Sequence, residues 1–184
     1  MFRQSWCAGI LAMALLAAPA PAQDQELTVR SGLSAFTGDL GGETNVGAFL
    51  GIQGEAQLFP AIGLELGYEG SANGFEGTGS GTLWRHNMGA MAKVGPVLDD
   101  RWVPFVGAGL GVSYVDPTGA ADAGIYDEDI IMEVPLSAGL EYRFSGVTAG
   151  ARATYRVLAG EDFAPGNVDE GDLFTAGLSL GGSF

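Results

Sequence analysis

The chain has 184 residues, enough for one domain, with 8 Lys and Arg against 22 Asp and Glu, one histidine and a formal net charge of −14. An anionic surface of this kind repels phosphate backbones, so nucleic-acid binding is excluded as a function class. The 31 glycines follow neither a collagen period nor a Gly/Ser linker pattern.

At the start of the chain, Arg3 supplies a positive charge, residues 7–18 (CAGILAMALLAA) an apolar run too short to span a bilayer, and Ala20-Pro21-Ala22 a small-x-small cleavage site. Residues 1–22 are therefore expected to be a signal peptide and residues 23–184 the exported domain. The domain lacks cysteine, because Cys7 lies in the leader, and its seven basic and 22 acidic residues give a formal charge of −15. No later window holds about 18 consecutive apolar residues, which excludes a spanning helix. Instead, period-two stretches follow one another, each near or above the roughly 9–11 residues that a tilted membrane strand needs.

The first expected strand, 27–36, sets Leu27, Val29, Leu33 and Ala35 against Thr28, Arg30, Gly32 and Ser34. Residues 38–43 read as a loop by composition. The second strand, 45–58, alternates Val46, Ala48, Leu50 and Ile52 with Gly47, Phe49, Gly51 and Gln53, and a turn at 59–61 leads to a third, 62–70. A polar, Gly-rich loop at 71–81 precedes the fourth strand, 82–97, with Trp84, Met88, Ala90 and Ala92 on the apolar side. A tight turn at 98–101 opens the fifth, 102–115. The longest loop, 116–129, carries Asp116, Asp122, Asp127, Glu128 and Asp129. The sixth strand, 130–144, turns through Ser145-Gly146 into the seventh, 147–159. After an acidic loop at 160–171 the eighth strand, 173–184, places Phe174, Ala176, Leu178, Leu180, Gly182 and Phe184 on one face.

Short and long connections alternate strictly. The expected fold is all-β: an eight-stranded antiparallel transmembrane β-barrel, an up-and-down meander with short turns and both termini in the periplasm and long loops outside. A soluble lipocalin-like barrel shows the same alternation with the apolar face inward. Three features favour the membrane arrangement. The non-apolar face is small and compact, Lys93 is the single lysine, and aromatic residues (Tyr68, Trp84, Trp102, Tyr114, Tyr142, Phe144, Phe174, Phe184) gather at strand ends as girdles do.

With this parity Glu55, Glu65, Glu69, Glu133 and Glu141 share the lumen with Arg30, Arg85, Lys93, Arg143, Arg152 and Arg156, and the excess negative charge falls in loops and turns. Buried charges must pair, and Arg suits that because its planar fork meets carboxylates bidentately. The bland reading is a plug that rigidifies the interior; the sharper one is a gated ion path. An eight-stranded barrel is just wide enough for its own side chains, which favours the plug. The third-loop acids do not match calcium-loop spacing, no cofactor or metal motif is present, and weak divalent binding by loop carboxylates stays open.

The terminal strand with Phe184 resembles the closing strand of Gram-negative outer-membrane barrels, which implies recognition by the barrel-assembly machinery. Residues 103–113 (VPFVGAGLGVS) resemble a strand of small porin-family barrels related to the transmembrane domain of outer-membrane protein A and to opacity-type surface proteins. The resemblance implies a monomeric barrel in the cell outer membrane, in contact with its lipid and lipopolysaccharide and with no nucleic acid. It leaves an extracellular ligand unidentified and, since the chain stops at Phe184, supplies no peptidoglycan-binding domain. Outer-membrane lipid A deacylases carry a membrane-facing His and a Ser two residues on; here His86 is followed by Met88, so no enzyme activity is expected. A small cation-selective pore is the main alternative function, with a soluble carrier or a lipid A-modifying enzyme behind it.

Overall fold

A computed structural model describes residues 25–76, 81–119, 129–159 and 171–184. The expected signal peptide 1–22, loop acids Asp122, Asp127 and Glu128, and most of the loop at 160–171 lie outside the described residues. Eight strands, β1 (Gln25–Phe36), β2 (Gly47–Phe59), β3 (Ile62–Gly74), β4 (Gly81–Val94), β5 (Trp102–Gly119), β6 (Asp129–Phe144), β7 (Val147–Ala159) and β8 (Leu173–Ser183), form a closed barrel, with a short helix α1 (Gly38–Glu43) after β1. Every neighbour is antiparallel and consecutive, and β1 closes on β8 from Glu26 opposite Ser183 to Phe36 opposite Leu173. Closure removes both sheet edges, the condition for a sheet in lipid.

The two faces settle which way the barrel is turned. Leu33, Leu110 and Leu178 are each more than 60% exposed on the outer wall, whereas Glu65, Arg85, Lys93 and Glu133 inside are nearly inaccessible. A contiguous apolar exterior over a charged interior is the inverse of a soluble barrel and requires lipid as its solvent. The lipocalin-like arrangement is thereby set aside.

Several boundaries differ from expectation. Residues 38–43 form a helical turn rather than an open loop, because Leu40 inserts into a buried apolar cluster that offsets the poor helix propensity of a Gly-rich segment. β3 continues four residues past 70, since Ser71 and Asn73 keep the inward parity and Asn73 binds Ser34 and the carbonyls of Ser34 and Asn45. β5 likewise runs to Gly119 through Asp116 and Pro117, paired with β4. β4 ends at Val94 rather than 97. The β5–β6 register is interrupted opposite Pro135, whose missing N–H cannot join the ladder. At the end holding the short turns, Ser145 (φ 47°) and Gly146 (φ 82°) are both left-handed, as a two-residue type I′ hairpin demands.

Candidate functional site in the barrel lumen

Ten of the eleven charged residues singled out from sequence come together inside the barrel, in two tiers. Nearer the short turns, Lys93 Nζ lies among three carboxylates: it contacts Glu55, donates to Glu141 at 2.9 Å and stands 3.5 Å from Glu65. Glu55 and Glu65 face each other across β2 and β3, a like-charge pairing that Lys93 neutralises. Arg152 closes this tier with a bidentate pair to Glu65, at 2.7 and 2.6 Å. Nearer the long connections, Arg85 binds Glu133 bidentately, Nε to Oε1 at 2.6 Å and Nη2 to Oε2 at 2.5 Å, and reaches Glu69 at 3.1 Å. Arg156 spans Glu69 (2.9 Å) and Glu133 (3.3 Å), and Arg30 donates to Glu69 at 2.7 Å.

Two cations meet three carboxylates in the first tier, and three cations meet two carboxylates in the second. Each tier alone carries one charge of excess, negative and positive respectively, and the two together are neutral. Gln53 joins them, its carbonyl accepting from Arg30 at 2.9 Å and lying 3.5 Å from Arg152. Neutral groups add further bonds: Asn87 and Ser113 donate to Glu133, and Thr175 accepts from Arg156. Such pairing and hydrogen bonding is what makes so many buried charges tolerable.

Arg143 is the exception. It has inward parity but sits half-buried at the turn end, makes no salt bridge among the described residues, and its Nε is buried without a hydrogen-bond partner there. The mouth carboxylate beside this level, Glu26, accepts instead from Thr28 and Thr148. Arg30, shared with the lumen by parity, takes the place in the network that Arg143 does not.

Phenylalanines shape the cage. Phe105 lies beneath the first tier, with Lys93 Nζ 5.1 Å and the Arg152 guanidinium 4.6 Å from its ring centroid, and Phe49 receives Arg30 at 5.7 Å. Gly139 makes room for Phe105: a Cβ there would come within 2.5 Å of the ring. The lumenal glycines thus accommodate aromatic rings that fill the bore. A cavity of about 60 Å³ beside Pro135, Ser137 and Thr154 remains, space for a few waters.

Above the second tier, Phe36, Leu40, Leu83, Val115, Ile131 and Leu173 form an apolar cluster that caps the lumen at the end of the long connections. Sequence reasoning missed it. The signal was available, since Leu83, Val115, Ile131 and Leu173 all break the polar pattern of the inward face within a few residues of a long connection. Phe184 follows β8, is largely exposed, and donates its N–H to the Gln25 carbonyl at 3.0 Å. Among the described residues no group of His, Cys, Asp and Glu side chains is placed to hold a metal ion.

The family described as outer membrane protein beta-barrel domain matches residues 8–181. Among solved structures, the chain is similar to Neisserial surface protein A, with 12% identity, a TM-score of 0.69 and coverage of 87% of this chain and 97% of that one. It is also similar to Ail, the attachment invasion locus protein of Yersinia pestis in complex with the heparin analogue sucrose octasulfate (13%, 0.62, 88% and 99%). A third similar structure is OprG from Pseudomonas aeruginosa (12%, 0.54, 87% and 97%). At these identities the likenesses show the fold. No curated protein sequence matches the chain.

Proposed function

The chain belongs to the outer membrane protein beta-barrel family, an integral barrel of the bacterial outer membrane, and from that premise we propose that it is a closed, non-conducting scaffold that presents the loop end of its barrel at the cell surface. The observation that carries this reading is the neutral, two-tier ion network filling the bore beneath an apolar cap. A conducting pore needs a continuous polar path. Here Arg85, Glu133 and Glu69 consume one another's charge, and the cap offers an ion no hydration.

In this reading the acidic long connections face outward and the monomer stands in lipid and lipopolysaccharide, with Phe184 read by the barrel-assembly machinery during insertion. A narrower kinship with outer-membrane protein A and opacity-type proteins would fit the same surface role. Ail's structure holds a polyanion, but a chain with 22 acidic and 8 basic residues calls for a cationic or neutral partner, so that ligand chemistry is not carried over. Catalysis has no place in it, because His86 has Met88 where a nucleophilic serine would stand.

Planar-bilayer recording of the purified barrel tests the proposal. Negligible or rare conductance is expected from the wild type. A steady, cation-selective conductance that falls in Glu65→Gln or Glu133→Gln would replace the scaffold with a small pore.

A further inference from the structure

Among the described residues, His86 is the one basic side chain on the outer wall of the strands; the other strand-borne basic residues have inward parity. An ionisable group on the membrane side is by default a hypothesis of a functional site, and its partner has to be named. Its surroundings are organised. The Tyr68 hydroxyl lies 2.6 Å from His86 Nδ1, and the two rings stack with centroids 6.1 Å apart. Tyr68 reaches His86 by lying over Gly70, where a Cβ would stand 3.3 Å from the phenol oxygen. Gly70 and Tyr114 flank His86 on the neighbouring strands.

The register also gives its depth. One rung toward the membrane centre lie Met88, Tyr68 and Val112, all apolar or aromatic. One rung the other way, Trp84 pairs with Asp116, the first carboxylate of the outer wall on this side. His86 therefore sits where the apolar band gives way to polar groups, the depth of lipid acyl carbonyls rather than of phosphates, which Asp116 would repel. A phenol is a better proton donor than a neutral imidazole, so Tyr68 donates to Nδ1. Nε2 then carries the ring proton, and no acceptor for it stands among the described residues.

We propose that Tyr68, Gly70 and His86 form a lipid site in which Nε2–H donates to an acyl carbonyl oxygen of a membrane lipid, with Trp84 and Met88 against the chain. The carbonyl is common to an outer-leaflet saccharolipid and a glycerophospholipid. Tyr68 acts as a positioning residue that fixes the tautomer, a role the histidine's second nitrogen commonly assigns to a partner. The site rests on the outer wall facing lipid and is independent of whether the lumen is closed, which conductance reports separately.

The test is ring-nitrogen NMR of the whole barrel in nanodiscs of diester phosphatidylcholine, of its diether analogue, and of diester lipid doped with lipid A. The expected result is an Nε2–H tautomer whose proton moves downfield in diester relative to diether discs, with the tautomer preference relaxed in Tyr68→Phe. Native mass spectrometry then identifies the source. Lipid A retained about fivefold better by the wild type than by His86→Phe, the scale of one hydrogen bond, assigns a saccharolipid. Equal lipid A retention with the ester-dependent shift intact assigns a glycerophospholipid. An Nδ1–H tautomer, or the same Nε2 shift in ether and ester lipids, would overturn the site.

Discussion

Replacing Arg85 by Met removes the most deeply buried cation of the lumen while keeping most of its volume. Arg85 is 1% exposed, its fork is shared between Glu133 and Glu69, and the whole network changes from neutral to one excess negative charge when it goes. Glu133 keeps Arg156 at 3.3 Å and the Asn87 and Ser113 donors, so it is not stranded, but its bidentate partner is lost. Breaking a buried pair from one side costs about 3–5 kcal/mol. Urea unfolding of the barrel in lipid vesicles, read by tryptophan fluorescence and by the heat-modifiable gel shift, should show a loss in that range. Arg85→Met combined with Glu133→Leu restores neutrality and should recover at least about 2 kcal/mol of it, because an ion pair replaced whole by apolar groups is often close to neutral. A single-variant loss below about 1 kcal/mol, the scale of solvated surface pairs, would refute the buried, mutually dependent network.

Three further outcomes follow from particular contacts. Gly139→Val should destabilise the barrel by about 1–3 kcal/mol through overpacking against Phe105, measured by the same unfolding assay. Leu40→Ala should cost about 2–5 kcal/mol as a cavity in the apolar cap, and would also report by proteolysis whether α1 loosens. Leu136→Arg, on the lipid side of β6, should impair insertion at a cost of about 2–4 kcal/mol if it lies near the bilayer midplane, seen as a reduced folded fraction on gels.

Much of this architecture was legible because period two is a strong constraint. The seventh strand, 147–159, was read to the residue, and parity sorted Leu136 outward and Ser137 inward. Strand ends were harder, because parity continues past the point where composition turns loop-like: Ser71 to Gly74 and Asp116 to Gly119 look like loops yet still pair with β4. α1 was invisible in sequence, since its reason is tertiary, the burial of Leu40. Parity also gives a side chain's face without its level along the axis. Arg143 therefore looked like a member of the charge cage although it stands at the mouth, and the levelling that makes five cations match five carboxylates emerged only when the strands were placed in register. Pro135 falls within the expected strand 130–144, although its missing N–H interrupts the ladder there.

The central claim, a sealed polar interior inside an apolar wall, is tested most directly by cysteine accessibility at two adjacent residues of β6, in a Cys7→Ser background because Cys7 is the chain's one cysteine. Leu136→Cys and Ser137→Cys barrels in vesicles would be challenged with a lipid-soluble and a membrane-impermeant maleimide, folded and after denaturation. Leu136 is 48% exposed and Ser137 is buried, its hydroxyl 3.0 Å from that of Thr154. The account predicts that in the folded barrel Leu136→Cys reacts with the lipid-soluble reagent alone and Ser137→Cys with neither until the barrel is unfolded. Fast reaction of folded Ser137→Cys with the impermeant reagent would mean an open lumen, and preferential reaction with the lipid-soluble one would mean that the two faces are reversed.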